Sequence, residues 1–128
     1  MFNSLKVAIL ADFPLHIIPE FGDSYRPTGH YATWLPQLAE AFENAAELDI
    51  HWLALSTKLT SPVEVTWKNQ RFHVLPTETK SRATTLYAKD RRRIQGALDK
   101  IRPDLVHGWG SEDVHALAAV TSGYPNLV

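Results

Sequence analysis

The chain has 128 residues, 45% of them apolar, enough for one domain that buries roughly two-thirds of its unfolded surface. Thirteen basic residues against fourteen acidic ones give a formal charge of −1, and only Arg91-Arg92-Arg93 concentrates positive charge, so nucleic acid is not expected as a partner. Cysteine is absent, which removes disulfides and thiolate metal sites, and no apolar run approaches the ~20 residues that span a bilayer.

The opening residues, Met1 to Lys6, carry no basic region followed by an apolar stretch and a small-residue cleavage site, so a soluble cytoplasmic protein is the expectation. Leu5 to Ala11 is a short, nearly continuous apolar run ending at Asp12 and Pro14, the pattern of a strand covered on both faces. Residues 12 to 30 are rich in Pro, Gly, Asp and Ser without helical or strand periodicity, and a connection of that length is either functional or disordered. Its place directly after the first strand favours a functional role.

From His30 to Asn44 the apolar side chains Tyr31, Trp34, Leu35, Leu38, Ala41 and Phe42 recur at the spacing of one helical stripe. Pro36 kinks this helix if it begins at Gly29 or His30, or lies harmlessly within the first turn if Thr33 is the cap. Leu48 to Leu55 reads as a second buried strand. Val63–Trp67 and Phe72–Leu75 alternate apolar and polar residues, and the link Lys68-Asn69-Gln70-Arg71 predicts an antiparallel hairpin at a sheet edge.

Tyr87, Ile94, Leu98 and Ile101 form the stripe of a second amphipathic helix that Pro103 terminates. Leu105-Val106-His107 is the next strand. Glu112 to Ser122 predicts a third helix with Val114, Leu117, Ala118 and Thr121 on one face, ending at Gly123. Asn126-Leu127-Val128 opens a further strand at the end of the given sequence, so the chain is expected to be the leading part of a longer polypeptide. The order strand, helix, strand, hairpin, helix, strand, helix, strand predicts an α/β, Rossmann-like three-layer sandwich: a mostly parallel sheet with an antiparallel edge hairpin and helices on both faces.

Ligands collect at the carboxyl ends of the strands of such a sheet. His107 stands at one of these ends, flanked by Gly108, Trp109 and Gly110, and serves there as a proton donor, a hydroxyl-binding group or a ligand, or else as a packed core histidine. The glycines leave room for a ligand or for another backbone. Thr28-Gly29-His30 precedes the first amphipathic helix, where amides at a helix N-terminus favour an anion, or where Gly29 is simply a turn residue. The six histidines, His16, His30, His51, His73, His107 and His115, contain no i, i+4 pair and no His-x-His, so no metal site is expected. Glu112-Asp113 reads as an electrostatic partner of a helix N-terminus, and Arg91 to Arg93 as a solvated face.

Lys6-Val-Ala-Ile-Leu-Ala11, then Pro27-Thr28-Gly29-His30-Tyr31, then the hairpin, then Ile101-Arg-Pro-Asp-Leu-Val-His-Gly-Trp-Gly110, together resemble the amino-terminal domain of family 4 glycosyltransferases of the GT-B fold over nearly the whole chain. The resemblance implies a retaining, metal-independent transfer from a nucleotide-sugar donor to an acceptor, with residues 1 to 128 as the acceptor-side half and a carboxy-terminal donor domain as partner. The nucleotide-sugar is a co-substrate, and no cofactor is implied. Position for position, Gly29 matches the second glycine of the family's Gly-Gly loop, with His30 beside it near the donor phosphates. His107 matches the histidine that lies beside the transferred sugar. Thr28 stands where the family has its first glycine, and Trp109 where it often has a second histidine, which makes Trp109 a candidate donor or substrate contact. Two other readings are a stand-alone Rossmann-like ligand-binding module and an α/β-hydrolase fragment with His107-Gly108 as its oxyanion loop. The latter lacks a Gly-x-Ser-x-Gly nucleophile turn.

Overall fold

A computed structural model describes residues 4–27, 33–78, 87–109 and 114–128. Strand β1 (Leu5–Leu10) is followed by two single 3-10 turns, Leu15–Ile17 and Asp23–Tyr25, and by helix α1 (Trp34–Phe42). Strands β2 (Leu48–Ser56), β3 (Val63–Trp67) and β4 (Gln70–Pro76) come next, then helix α2 (Ala88–Ile101), strand β5 (Leu105–Gly108), helix α3 (Val114–Val120) and strand β6 (Asn126–Leu127). The sheet order is β3-β4-β2-β1-β5-β6, parallel throughout except for the antiparallel pair β3 and β4. This is the Rossmann-like three-layer α/β arrangement that the order of elements predicts.

The sheet has two apolar faces because the buried stretches 7–10 of β1 and 52–54 of β2 are apolar on both sides of the strand. Val7, Ile9 and Ala11 of β1 and its extension pack with Ile50, Trp52, Phe72 and Val74 beneath α1. Ala8 and Leu10 pack with Leu53, Leu75 and Val106 beneath α2 and α3. Lys6 and Asp104 lock β5 onto β1, since the Lys6 amide donates to Asp104 Oδ2 and the Asp104 amide to the Lys6 carbonyl, each at 2.8 Å. α2 ends as the sequence predicts: Arg102 adopts a left-handed conformation, φ 55°, and Pro103 follows it.

Four sequence expectations are refined or corrected. Pro36 falls in the first turn of α1, after Thr33, where no intrahelical donor is lost, so the helix needs no kink. The segment after β1, read from sequence as functional or disordered, contributes to the core. Phe13, Leu15 and Ile18 are buried on the α1 side, and the Phe13 ring meets Trp52 and Phe72 edge-on at 5.0 and 4.9 Å. α1 spans nine residues, too few to cover that face, and these side chains complete the cover.

The hairpin turn is two residues, Lys68 and Asn69, both left-handed, and β4 starts at Gln70, paired with Trp67. The sequence reading assigned Gln70 to the loop because it is polar, yet it is 2% exposed and fully occupied. Its Oε1 accepts from Trp52 Nε1 at 2.8 Å, and its Nε2 donates to the carbonyls of Ala39 and Lys68 at 2.7 and 2.9 Å. The buried face of α3 is also rotated from expectation. Val114, His115, Ala118 and Ala119 are buried, Leu117 is half-buried and Thr121 is exposed, while Gly123 takes the positive φ of a helix-ending glycine, 84°.

Candidate functional site at the carboxyl ends of β1 and β5

From β1 the chain steps to β2 and β4 on one side, then returns to β5 and β6 on the other. The crevice where such a sheet binds ligands therefore opens between the carboxyl ends of β1 and β5. The Trp109 amide donates to the Leu10 carbonyl at 2.9 Å, which carries the β1–β5 pairing one residue past the strand. Alternation along β5 sends Leu105, His107 and Trp109 toward the α1 side and Val106 and Gly108 toward α3.

On the α1 side three rings lie in series. His107 is half-buried and stacked on Trp109, with centroids 4.4 Å apart and planes 29° apart. Trp34, from the first turn of α1, meets the other end of this row at 4.7 Å from Trp109 with a 59° tilt. Trp34 is 45% exposed, so the row runs from the strand end out to solvent. Burial holds the His107 imidazole below its ordinary pKa, which keeps it neutral near pH 7 with one ring nitrogen to donate and one to accept. Among the described residues the buried Trp109 indole N–H has no hydrogen-bond partner. A neutral imidazole, an unsatisfied donor and an exposed aromatic face suit a ligand that carries both hydroxyls and an apolar C–H face.

On the α3 side, Asp12 extends past the end of β1 with its side chain 68% exposed, and His115 of α3, 2% exposed, places Nε2 at 2.9 Å from Asp12 Oδ1. Gly108 makes this possible. A Cβ at that position would stand 2.7 Å from the His115 carbonyl oxygen and 3.0 Å from Ala119 Cβ, so α3 lies directly on the β5 backbone. The sequence left two uses open for the glycines beside His107. At Gly108 the partner is a helix backbone, and Gly110 lies outside the described residues.

The structure thus brings His107 and Trp109 together, as the sequence places them, and adds Trp34, Asp12 and His115. The candidates Gly29 and His30, with Thr28, lie outside the described residues, as do Ser111 and Glu112-Asp113. Asp12 carries a legible signal, an acidic residue closing an apolar strand in an α/β order. His115 carries only a faint one, a polar residue next to Val114 at the start of a small-residue helix. Among the described residues no three His, Cys, Asp or Glu side chains converge in a way that would hold a metal, and no helix is long and apolar enough to cross a membrane. Comparisons with protein-family models, with curated proteins and with solved structures return no match to this chain.

Proposed function

We propose that this chain is the acceptor-side domain of a retaining, GT-B, family 4 glycosyltransferase that moves a sugar from a nucleotide-sugar donor to an acceptor in the cytoplasm, with the donor nucleotide held by a second, carboxy-terminal domain. The observation that carries the reading is the neutral, half-buried His107 at the carboxyl end of β5, stacked into the Trp109–Trp34 row at the point where the strand order reverses. Glycosyl transfer develops negative charge on the leaving phosphate and positive charge on the sugar ring. A neutral imidazole beside the ring donates to or accepts from a sugar hydroxyl without adding a repelling positive charge. Trp109 and Trp34 offer the flat apolar surface on which the C–H face of a pyranose lies. Alone, this half of a cleft lacks the positioning of both reactants, which is worth roughly 7 to 11 kcal/mol in oriented systems.

The test is the complete reading frame, purified and assayed against a panel of nucleotide sugars with coupled detection of the released nucleotide. His107→Ala is expected to lower turnover at least tenfold, about 1.4 kcal/mol of barrier, with the melting temperature kept. An unchanged rate removes His107 from the mechanism. A reading frame that stops at Val128 removes the two-domain reading and leaves a binding module, whose ligand would then be sought with the isolated chain.

A further inference from the structure

The opposite face of the sheet holds a second polar feature that the sugar-transfer reading does not use. Beside α2, over β2, β4 and β3, lies a groove of about 690 Å³, within the few-hundred to ~1,000 Å³ range of small-molecule sites. It arises because Ile94, Leu98 and Ile101 seat α2 over the centre of the sheet, so that among the described residues no helix covers the β2–β4–β3 portion beside it. Among the described residues Lys6, Arg71, Arg92, Arg93 and Lys100 line it, against the one carboxylate of Glu64. In a chain whose formal charge is −1, five cations and one acid along one groove are a segregation of charge.

The groove's charges are mostly unspent within the fold. Arg93 is engaged, forked onto the Glu78 carboxylate at 2.9 and 3.0 Å, and Lys6 Nζ donates to the Ile101 carbonyl at 3.0 Å. Arg71, Arg92 and Lys100 are exposed and make no ion pair among the described residues. Between them two stacked histidines lie against the sheet. His51 Nδ1 is 2.9 Å from His73 Nε2, and the rings are 17° from parallel. His51 is 3% exposed, and its Nε2 lies 3.2 Å from Asp49 Oδ1 without the alignment of a hydrogen bond. His73 Nδ1 lies 3.4 Å from Glu64 Oε1.

With both rings neutral, the one proton between them comes from either side. Whichever ring gives it, a bare nitrogen is left facing a carboxylate, Asp49 on one end or Glu64 on the other. The row is complete only when it holds one extra proton; burial holds both imidazoles below their ordinary pKa, a cost that an anion bound beside them offsets. Leu75, Val63 and Ala97 supply apolar wall beside the cations, which suits a ligand with an organic portion as well as charge.

We infer that this groove binds a phosphorylated organic ligand carrying two or more negative charges, held by Arg71, Arg92 and Lys100 above the His51–His73 pair. The inference stands apart from the sugar-transfer reading, since the groove lies on the α2 side of the sheet and His107 on the α1 side. The phosphate could belong to a free metabolite or to a lipid headgroup.

The test titrates the isotope-labelled chain with inorganic pyrophosphate at constant ionic strength, with chloride as the control, and in parallel sediments the chain with phosphatidylcholine vesicles containing phosphatidic acid. Expected is saturable movement of the Arg71, Arg92 and Lys100 amides and of the two imidazoles with pyrophosphate, weakened at least tenfold by Arg71→Gln with Lys100→Gln. Pyrophosphate binding without sedimentation identifies a free ligand, and sedimentation that competes with pyrophosphate identifies a headgroup.

Gly96 supplies a variant that keeps the fold. Its Cβ position is open and it lines the groove, so Gly96→Glu strengthens the helix while placing a carboxylate among the cations, and it should abolish binding. Shifts that match the chloride control, vesicle binding that pyrophosphate does not displace, or unchanged binding by Gly96→Glu would each overturn the inference.

Discussion

Gly108→Ala measures whether the contact between α3 and β5 is as close as the geometry makes it. The added Cβ would meet the His115 carbonyl oxygen at 2.7 Å, and relief to the 3.4 Å of ordinary contact requires α3 to withdraw by about 0.7 Å. Overpacking of this kind costs about 1 to 3 kcal/mol. Replacing glycine also removes unfolded-state freedom, a gain of about 0.4 to 1 kcal/mol, so the net loss runs up to about 2.6 kcal/mol, with a mid-range of about 1.3 kcal/mol. Urea titration followed by tryptophan fluorescence reads this as a lower midpoint with an unchanged slope. The same withdrawal pulls His115 away from Asp12, now 2.9 Å apart, and should shift the His115 ring resonances. Gly96→Ala is the control, because its Cβ meets nothing within 4 Å, and it should stabilise the protein by about 0.5 to 1 kcal/mol. If both substitutions move stability in the same direction, or if Gly108→Ala leaves it unchanged, the close approach of α3 to the strand is refuted.

Gln70→Ala strips the partner from the buried Trp52 N–H and from the Ala39 carbonyl, and at about 1 to 3 kcal/mol for each buried group left unpaired it should cost about 2 to 6 kcal/mol, read by urea titration. A loss below 1 kcal/mol would mean that water replaces the amide. Stability should also fall as pH drops from neutral to about 5. His51, His73 and His107 are all held below the ordinary value of 6.5, first of all by burial, so below pH 6.5 the unfolded chain binds protons that the folded chain does not, and stability rises with pH across that window. Thermal melts at intervals through it, compared with His73→Gln, should give a flatter dependence for the variant. Melting temperatures that rise on acidification would contradict the assignment.

Most of the fold is written in apolar runs. β1, β2 and β5 are legible from the short apolar runs 7–10, 52–55 and 105–106 that strands covered on both faces carry, and α2 because Ile94, Leu98 and Ile101 keep helical spacing up to a proline. The misreadings come from polar residues whose partners lie far away in sequence. Gln70 resembles a turn residue until Trp52, eighteen positions earlier, claims its oxygen, and His115 resembles helix surface until Asp12, more than a hundred positions earlier, claims its ring. Phe13, Leu15 and Ile18 sit at no regular period, so no pattern reveals that they cover the sheet where α1 stops. At the candidate site His107 was legible from a strand end between glycines, but the ring row needed α1 and β5 to be brought together in space.

Trp34 carries this argument furthest. Its spacing assigns it to the apolar stripe of α1, yet the stripe that packs is Leu35, Leu38, Ala39 and Phe42, and Trp34 remains 45% exposed. A tryptophan left partly in water forgoes part of its burial free energy and keeps an aromatic face open to contact. It lies against Trp109, whose ring covers His107, so the large aromatic of α1 that falls outside the packed stripe extends the strand-end site. The groove follows the same logic on the other face. His51 and Arg71 occupy paired positions of β2 and β4 on the face where Leu53 and Leu75 are core, so alternation alone would make them apolar. Local rules that a sequence breaks in a folded protein are expected at functional sites, and Trp34 and the His51–Arg71 pair are two such breaks, one on each face of the sheet. Substitutions in the two places are therefore expected to act independently, with Trp34→Ala leaving pyrophosphate binding intact and Gly96→Glu leaving the Trp109 indole resonance unmoved.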